Sequence, residues 1–374
     1  MGILKNNKGI TLAVLVFTIV VLLILAGITI SNITGGDGIL GQAQNKKDAT
    51  TIQKEKTILG NAVMTASNKT KLEDLTEDNL RDALSNKNVD IVKSGGLYKI
   101  TFKDTNNLYK MNENGEYFYW ENMQPTKIYG KIENNILYLR ATEENGYTKG
   151  TQWNNATITK IVIEDPIAPE TCYQMFMNCS ICKEIENIEN LHTENVTTFT
   201  NMFYNCKALE KLNLKYFDTE KIESCSQTFY NCQSLTSLNL SYWNTSNIKH
   251  FYGMFQFCTN LTKIDLTNFD LQSAVNLGAM FNSCYSLTSL DLSSFDTKNV
   301  TGMGSMFTSS KNLKTIYVSD KFKINSNISS NNMFIYCSKL VGGAGTTYSS
   351  SHVDADYAHI DGGPTNPGYF TLKQ

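Results

Sequence analysis

A phenylalanine recurs at an almost fixed interval through the second half of the chain, and no other feature constrains the fold as tightly. It closes the pairs Met175-Phe176, Met202-Phe203, Thr228-Phe229, Met254-Phe255, Met280-Phe281, Met306-Phe307 and Met333-Phe334. From Phe203 to Phe307 the step is 26 residues each time, and the two end steps are 27. A fixed period of this size marks a stack of similar units, because one unit alone cannot bury its apolar faces. Aligning the units brings out a strand core, Leu-x-x-Leu-x-Leu. Its columns are Leu209, Leu235, Leu261, Leu287, Leu313; then Leu212, Leu238, Ile264, Leu290, Ile316; then Leu214, Leu240, Leu266, Leu292, Val318. Side chains alternate across a strand, so the residues between the last two columns and just before them point outward. These are Lys211, Asn213, Ser237, Asn239, Lys263, Asp265, Ser289, Asp291, Thr315 and Tyr317.

The other columns read as structure. Phe217, Trp243, Phe269 and Phe295 follow the strand, with Phe322 one residue late. Asp218, Asn244, Asp270 and Asp296 come next, then Thr219, Thr245 and Thr297, broken by Leu271. Short polar side chains satisfy backbone amides where a chain turns, so a repeat that turns at one place needs the same group each time. The Met-Phe pair falls on the opposite limb, as a short helix or helical turn, with its Phe wedged between coils. Cys179, Cys206, Cys232, Cys258, Cys284 and Cys337 each stand three residues after a Phe of the pair, and Ser310 replaces the sixth. Their parallel side-chain directions argue against bridging, so the column predicts small buried fillers and free thiols.

The first third reads differently. Residues 10–30 are apolar apart from three Thr and one Gly, enough for a helix of roughly 30 Å across one hydrocarbon core. Lys5 and Lys8 precede them, which predicts a cytoplasmic N-terminus and an exported remainder. Apolar periodicity resumes at Ala43, Ile52, Ile58, Leu59, Ala62, Val63 and Ala66, predicting an amphipathic stalk. A short helix capped by Thr76 follows, then strands at Val89–Val92, Leu97–Phe102, Leu108–Met111 and Tyr117–Trp120. Ile136–Arg140 and Ala156–Ile163 read as strands that cap the first repeat, and Tyr369–Leu372 as one that caps the last.

Two resemblances attach to these residues. Lys8-Gly9-Ile10-Thr11-Leu12 looks like a type IV prepilin cleavage site, which implies cutting between Gly9 and Ile10 and a pilin-like stalk and head; Val14 stands where many pilins carry Glu, which leaves polymerisation open. The repeat, with Met-Phe-x-x-Cys, Leu-x-x-Leu-x-Leu and Phe295-Asp-Thr-x-x-Val300, resembles the BspA-type leucine-rich repeat surface proteins of bacteria. Ile360-Asp-Gly-Gly-Pro364 is similar to the C-terminal piece of that family. The resemblance implies a surface protein, with adhesion or protein binding known for some members, and transfers no binding residue.

Net charge is −2, which leaves no electrostatic case for nucleic acid. Four His occur, and no nucleophile elbow, phosphate-binding glycine loop or His-Glu-x-x-His motif is present. A metal site in His352-Val-Asp-Ala-Asp-Tyr-Ala-His359-Ile-Asp361 is conceivable, but the stretch reads as a loop-rich end piece. The expected fold is α+β. Residues 1–9 form a leader, 10–67 a long transmembrane and stalk helix, 68–120 a small pilin-like α/β head and 121–165 a β cap. Residues 166–345 form a leucine-rich-repeat solenoid with parallel strands, and 346–374 a C-terminal cap. The expected protein is non-enzymatic and without cofactor. It sits in the cell membrane by a single pass through residues 10–30, with its bulk outside or in a surface filament. Its partners are a protein or glycan, and other pilins if it is instead a minor pilin-like subunit. The outward strand positions are the candidate partner face, or are simply solvated.

Overall fold

The computed structural model describes residues 51–63, 65, 76–94, 97–105, 107–112, 117–120, 126–153, 156–325 and 328–373. The chain divides into two compact units, Met1–Asp90 with Thr101–Asn107, and Ile91–Ile100 with Leu108–Gln374.

Among the described residues the architecture is mostly β-solenoid, and the expectation of an α+β chain built on a long N-terminal helix is corrected. Residues 51–63 are α-helical (α1), and α2 runs Glu77–Ala83. No helix among the described residues is long and apolar enough to cross a membrane, so a single-pass membrane location is not supported. Helix α1 buries one stripe, Leu59 and Ala62, and carries Gln53, Lys54 and Lys56 on other faces, which suits a helix lying on protein. Its Glu55 is buried and accepts hydrogen bonds from Thr105 (2.6 Å) and Asn107 (2.8 Å). In α2 the Thr76 hydroxyl accepts from the Asn79 amide at 3.3 Å, capping one of the N–H groups a helix start leaves open. The candidate span, residues 10–30, and the cleavage pair Gly9 and Ile10 lie outside the described residues.

Strands β1 (Val89–Ser94), β2 (Leu97–Phe102), β3 (Asn107–Asn112) and β4 (Tyr117–Trp120) form a sheet in that order. Lys110 of β3 is almost fully buried, and its ammonium lies 3.0 Å from Asp218 of the solenoid. Lys99 of β2 reaches Asp218 at 3.6 Å and Glu220 at 2.6 Å. Burial pushes the Lys110 ammonium below its ordinary value against the pull of Asp218. Burial works against the charge of Asp218 too, but Lys110 and Lys99 outweigh it and hold the carboxyl below the usual range.

The solenoid begins with a mixed sheet of β5 (Tyr129–Glu133), β6 (Ile136–Arg140), β7 (Thr148–Lys149), β8 (Lys160–Ile163) and β9 (Glu184–Glu186), in the order β7-β5-β6-β8-β9. β8 pairs in parallel with β9 of the first coil, so the N-terminal end of the stack is capped by strands. Parallel pairs β10 (Ser237–Asn239) with β11 (Lys263–Asp265), and β12 (Ser289–Leu292) with β13 (Thr315–Val318), continue it. β14 (Phe370–Leu372) adds in parallel to β13 and closes the far end. The Leu columns and the Phe ladder face one continuous core. Successive Phe rings stack at 5.5–6.0 Å from Phe176 to Phe334.

The Met-Phe limb is a run of turns where a short helix or helical turn was the expectation. Every second N–H leaves the coil, as from Phe203 to Thr228 O and from Phe229 to Met254 O, while intervening N–H groups bond three residues back. Holding that pattern puts two residues per coil at positive φ, the second before the Phe and the second after it: Gln174 and Asn178, Asn201 and Asn205, Gly253 and Phe257. Asn and Gly adopt this conformation at low cost, and Asn, Ser and Gly supply most of these positions. The Asn at these positions thus has a backbone cause.

Candidate partner face of the solenoid

All nine cysteines are free and buried. The column carries more than a filler's role. The Cys206, Cys232, Cys258, Cys284 and Cys337 thiols donate to the carbonyl of the Phe in the preceding coil, at 3.0–3.2 Å. Ser310 does the same to Phe281 at 2.7 Å. Burial pushes the Cys258 and Cys337 thiols up to about 12, so they stay protonated at neutral pH. The threonine column ties coils together. Thr245 donates to the Asp270 carbonyl (2.9 Å) and accepts from its amide (2.7 Å), and Thr297 does likewise with Lys323. Asp218, Asn244, Asp270 and Asp296 each accept the amide two residues on.

The outward strand positions remain. Register pairs Ser237 with Lys263, Asn239 with Asp265, Ser289 with Thr315 and Asp291 with Tyr317. The strand assignment breaks at Lys211 and Asn213 and again between β11 and β12, so the face comprises two short sheets. Ser237, Asn239, Lys263 and Ser289 are exposed, and Asp265, Asp291, Thr315 and Tyr317 half-buried. One column of the face has a turn role. Asn239, Asp265 and Asp291 accept the amides of Ser241 (2.9 Å), Thr267 (3.2 Å) and Ser293 (3.0 Å), and Asn213 that of Lys215 (3.3 Å).

Two groups on the face escaped the sequence reading. Glu184 and Glu186 of β9 occupy the same outward columns one coil earlier, and Lys160 bridges them at 2.9 and 2.5 Å. Cys182, standing in the first Leu column, was the available signal for them. The two carboxylates hold the Lys160 ammonium above its ordinary range, Glu186 first. Lys373 is the second. The strand after Phe370 turns Thr371 and Lys373 outward, and the Lys373 ammonium lies 3.0 Å from Asp291 and 4.9 Å from the centre of the Tyr317 ring.

The C-terminal His-Asp stretch is absorbed into the cap. Asp361 accepts from the amides of Ala344 (2.8 Å), Thr346 (2.9 Å), Gly363 (3.0 Å) and Gly368 (3.4 Å), and from the Thr346 hydroxyl (2.7 Å). His352 stacks on Tyr357 and lies 2.7 Å from Asp356. Among the described residues, no group of three His, Cys, Asp or Glu is placed to hold a metal ion. A cleft of about 430 Å³ opens beside this cap, lined by Asp320, Phe322, Lys323, His359, Ile360 and Asn366 among others.

These features define a parallel β-solenoid repeat protein whose outer positions vary from coil to coil. Residues 170–286, and again 224–347, match the family model described as "Mycoplasma protein of unknown function, DUF285". Together the matches span just under half of the chain and coincide with the repeats. No curated protein and no solved structure matches the chain.

Proposed function

We propose that the protein is a non-enzymatic binding module, an adhesin-like repeat protein of the BspA type that presents the outward strand positions to a protein or glycan outside the cell. One observation carries this reading: inward and turn positions largely repeat from coil to coil, while the outward residues differ within each paired register, Ser237 against Lys263, Ser289 against Thr315 and Asp291 against Tyr317. A fixed scaffold with variable outward residues suits recognition, since the interface needs no reordering on binding. The C-terminal carboxylate that could serve catalysis, Asp361, is instead committed to backbone amides.

The test is a printed array of purified extracellular proteins and polysaccharides probed with the full chain. The double variant Ser237→Trp/Ser289→Trp adds bulk at two exposed positions. It should lower binding at least tenfold on every positive spot while leaving the circular dichroism unchanged. Binding unaffected by the variant, or no positive spot at all, overturns the reading.

A further inference from the structure

On the outward face, one spot is already occupied by a side chain from elsewhere in the chain. Asp291 on β12 and Tyr317 on β13 are cross-strand neighbours, and the Lys373 ammonium sits on both, 3.0 Å from the carboxylate and 4.9 Å from the ring centre. A carboxylate beside an aromatic ring is the chemistry that selects a primary ammonium over a neutral or anionic group. Lys373 is delivered there by strand pairing. β14 lies parallel to β13, Thr371 faces Tyr317, and the Lys373 amide bonds the Val318 carbonyl at 2.9 Å. The register of β14 thus sets Lys373 over Tyr317 while its backbone fills the β13 edge, so the carboxylate and ring are open to a further segment only from the outward face.

The contact is half-exposed, with 45% of the Lys373 side chain and 37% of that of Asp291 open to solvent. Such a pair is weak and exchangeable. Asp265 holds the same repeat position 26 residues earlier and is likewise half-buried, which adds a second carboxylate to this column. The fold does not require charge in this column. Asn213 and Asn239 cap the same turn with an amide oxygen. Asp265 and Asp291 thus carry a charge that the turn itself does not use.

We infer that Asp291 and Tyr317, extended by Asp265, form a lysine-recognition site for an extended basic segment of a partner protein, and that Lys373 occupies it in the free chain. This inference rests on the proposed binding role of the face and names the chemistry of its partner. Lys373 then acts as an intramolecular competitor. Alternate lysines suit the site, because side chains two residues apart lie on one side of an extended chain.

The probe is a fluorescein-labelled decapeptide alternating Thr and Lys, with a twin in which every Lys is acetylated, titrated against the full-length protein at low salt. The wild type should bind the lysine peptide and not the acetylated one. Lys373→Ala should tighten binding about 2- to 10-fold, the range expected from removing one half-exposed ion pair and one cation–π contact. Adding Asp291→Asn or Tyr317→Asn to that variant should weaken it at least tenfold. Both substitutions install residues that the same column already holds, so the fold is kept. Equal binding of the acetylated peptide, or indifference to Lys373→Ala and Asp291→Asn, overturns the inference. If the array signal still falls with Ser237→Trp/Ser289→Trp while the lysine peptide ignores Asp291, the face binds something else and only the lysine site is wrong. If neither responds, both fall.

Discussion

Asp361 gathers five donors in the C-terminal cap, and its removal is predicted to loosen that cap while sparing the repeats. The carboxylate accepts five hydrogen bonds, four of them from backbone amides, and is 8% exposed. Gly342 lies so close that a Cβ there would run into the Gly368 carbonyl and Asp361 itself, so water has little room to replace the carboxylate. In Asp361→Asn the new amide nitrogen must face either the Ala344 and Thr346 amides or the donors on the other oxygen. At least two donors lose their acceptor. Each buried, unsatisfied group costs about 1–3 kcal/mol, and relaxation trims the sum, giving about 2–4 kcal/mol locally. Amide exchange in segments 342–347 and 359–370 should therefore accelerate about 30- to 1000-fold at neutral pH, with the repeats from Phe203 to Phe281 unchanged. The pH dependence gives a second reading. Burial alone would raise the Asp361 carboxyl, but the Thr346, Gly363 and Ala344 donors hold it well below the usual carboxylate range. A depressed folded value means the stabilisation is complete above the unfolded value of about 3.9 and is lost as pH falls toward the folded one. The difference between wild type and variant should narrow by about 1 kcal/mol from pH 7 to pH 3. Exchange within threefold of wild type at pH 7, or a gap that does not shrink in acid, would refute this account.

Two further predictions concern the ladders. Cys258→Ser should stay within about 1 kcal/mol of wild type, because Ser310 already makes the same contact, whereas Cys258→Ala leaves the Phe229 carbonyl with the Cys232 amide alone and should cost about 0.5–1.5 kcal/mol more than Cys258→Ser in a urea melt; equal losses would mean the column is filler alone. Thr245→Val keeps the shape but strips both bonds to Asp270, so it should cost about 2–4 kcal/mol and raise exchange at the Asp270 amide; an unchanged Asp270 amide would show that Thr245 does not tie the coils.

What the sequence made legible followed from period. The Phe and Leu columns are core because identical units stack in register, and spacing alone identifies that. The outward column followed from strand alternation, as did β8 and β14 as end caps. Conformation without a side-chain signature did not show. The positive-φ pairs at Gln174 and Asn178, or Asn201 and Asn205, are read only from backbone geometry, and they are why the Met-Phe limb turns without becoming a helix. Amphipathic spacing from Ala43 to Ala66 indicated that one helical face is covered, but it carries no information on helix length. Extending it into a stalk continuous with residues 10–30 went beyond what periodicity can support. The Asx turns of Asn239 and Asp291, and the reach of Lys373 across two strands, depend on side-chain positions that no repeat pattern encodes.

The division of labour within one column connects scaffold to recognition. Its members Asn213, Asn239, Asp265 and Asp291 share a single requirement, an oxygen that accepts the amide two residues on. Asn and Asp meet that requirement equally, so the turn constrains the oxygen and leaves the charge free. At Tyr317 the acceptor is given up altogether, and there β14 lies alongside the strand. The inward columns have less freedom: a Cys or Ser donates, a Phe fills the wedge, and Thr245 and Thr297 bridge two coils, with Leu271 the one apolar replacement in that column. Where the fold fixes one property and releases another, the released property can vary without loss of stability. In this solenoid the released property is the charge along the Asn213–Tyr317 column, negative at Asp265 and Asp291, and it is the property to which a lysine-bearing partner would respond.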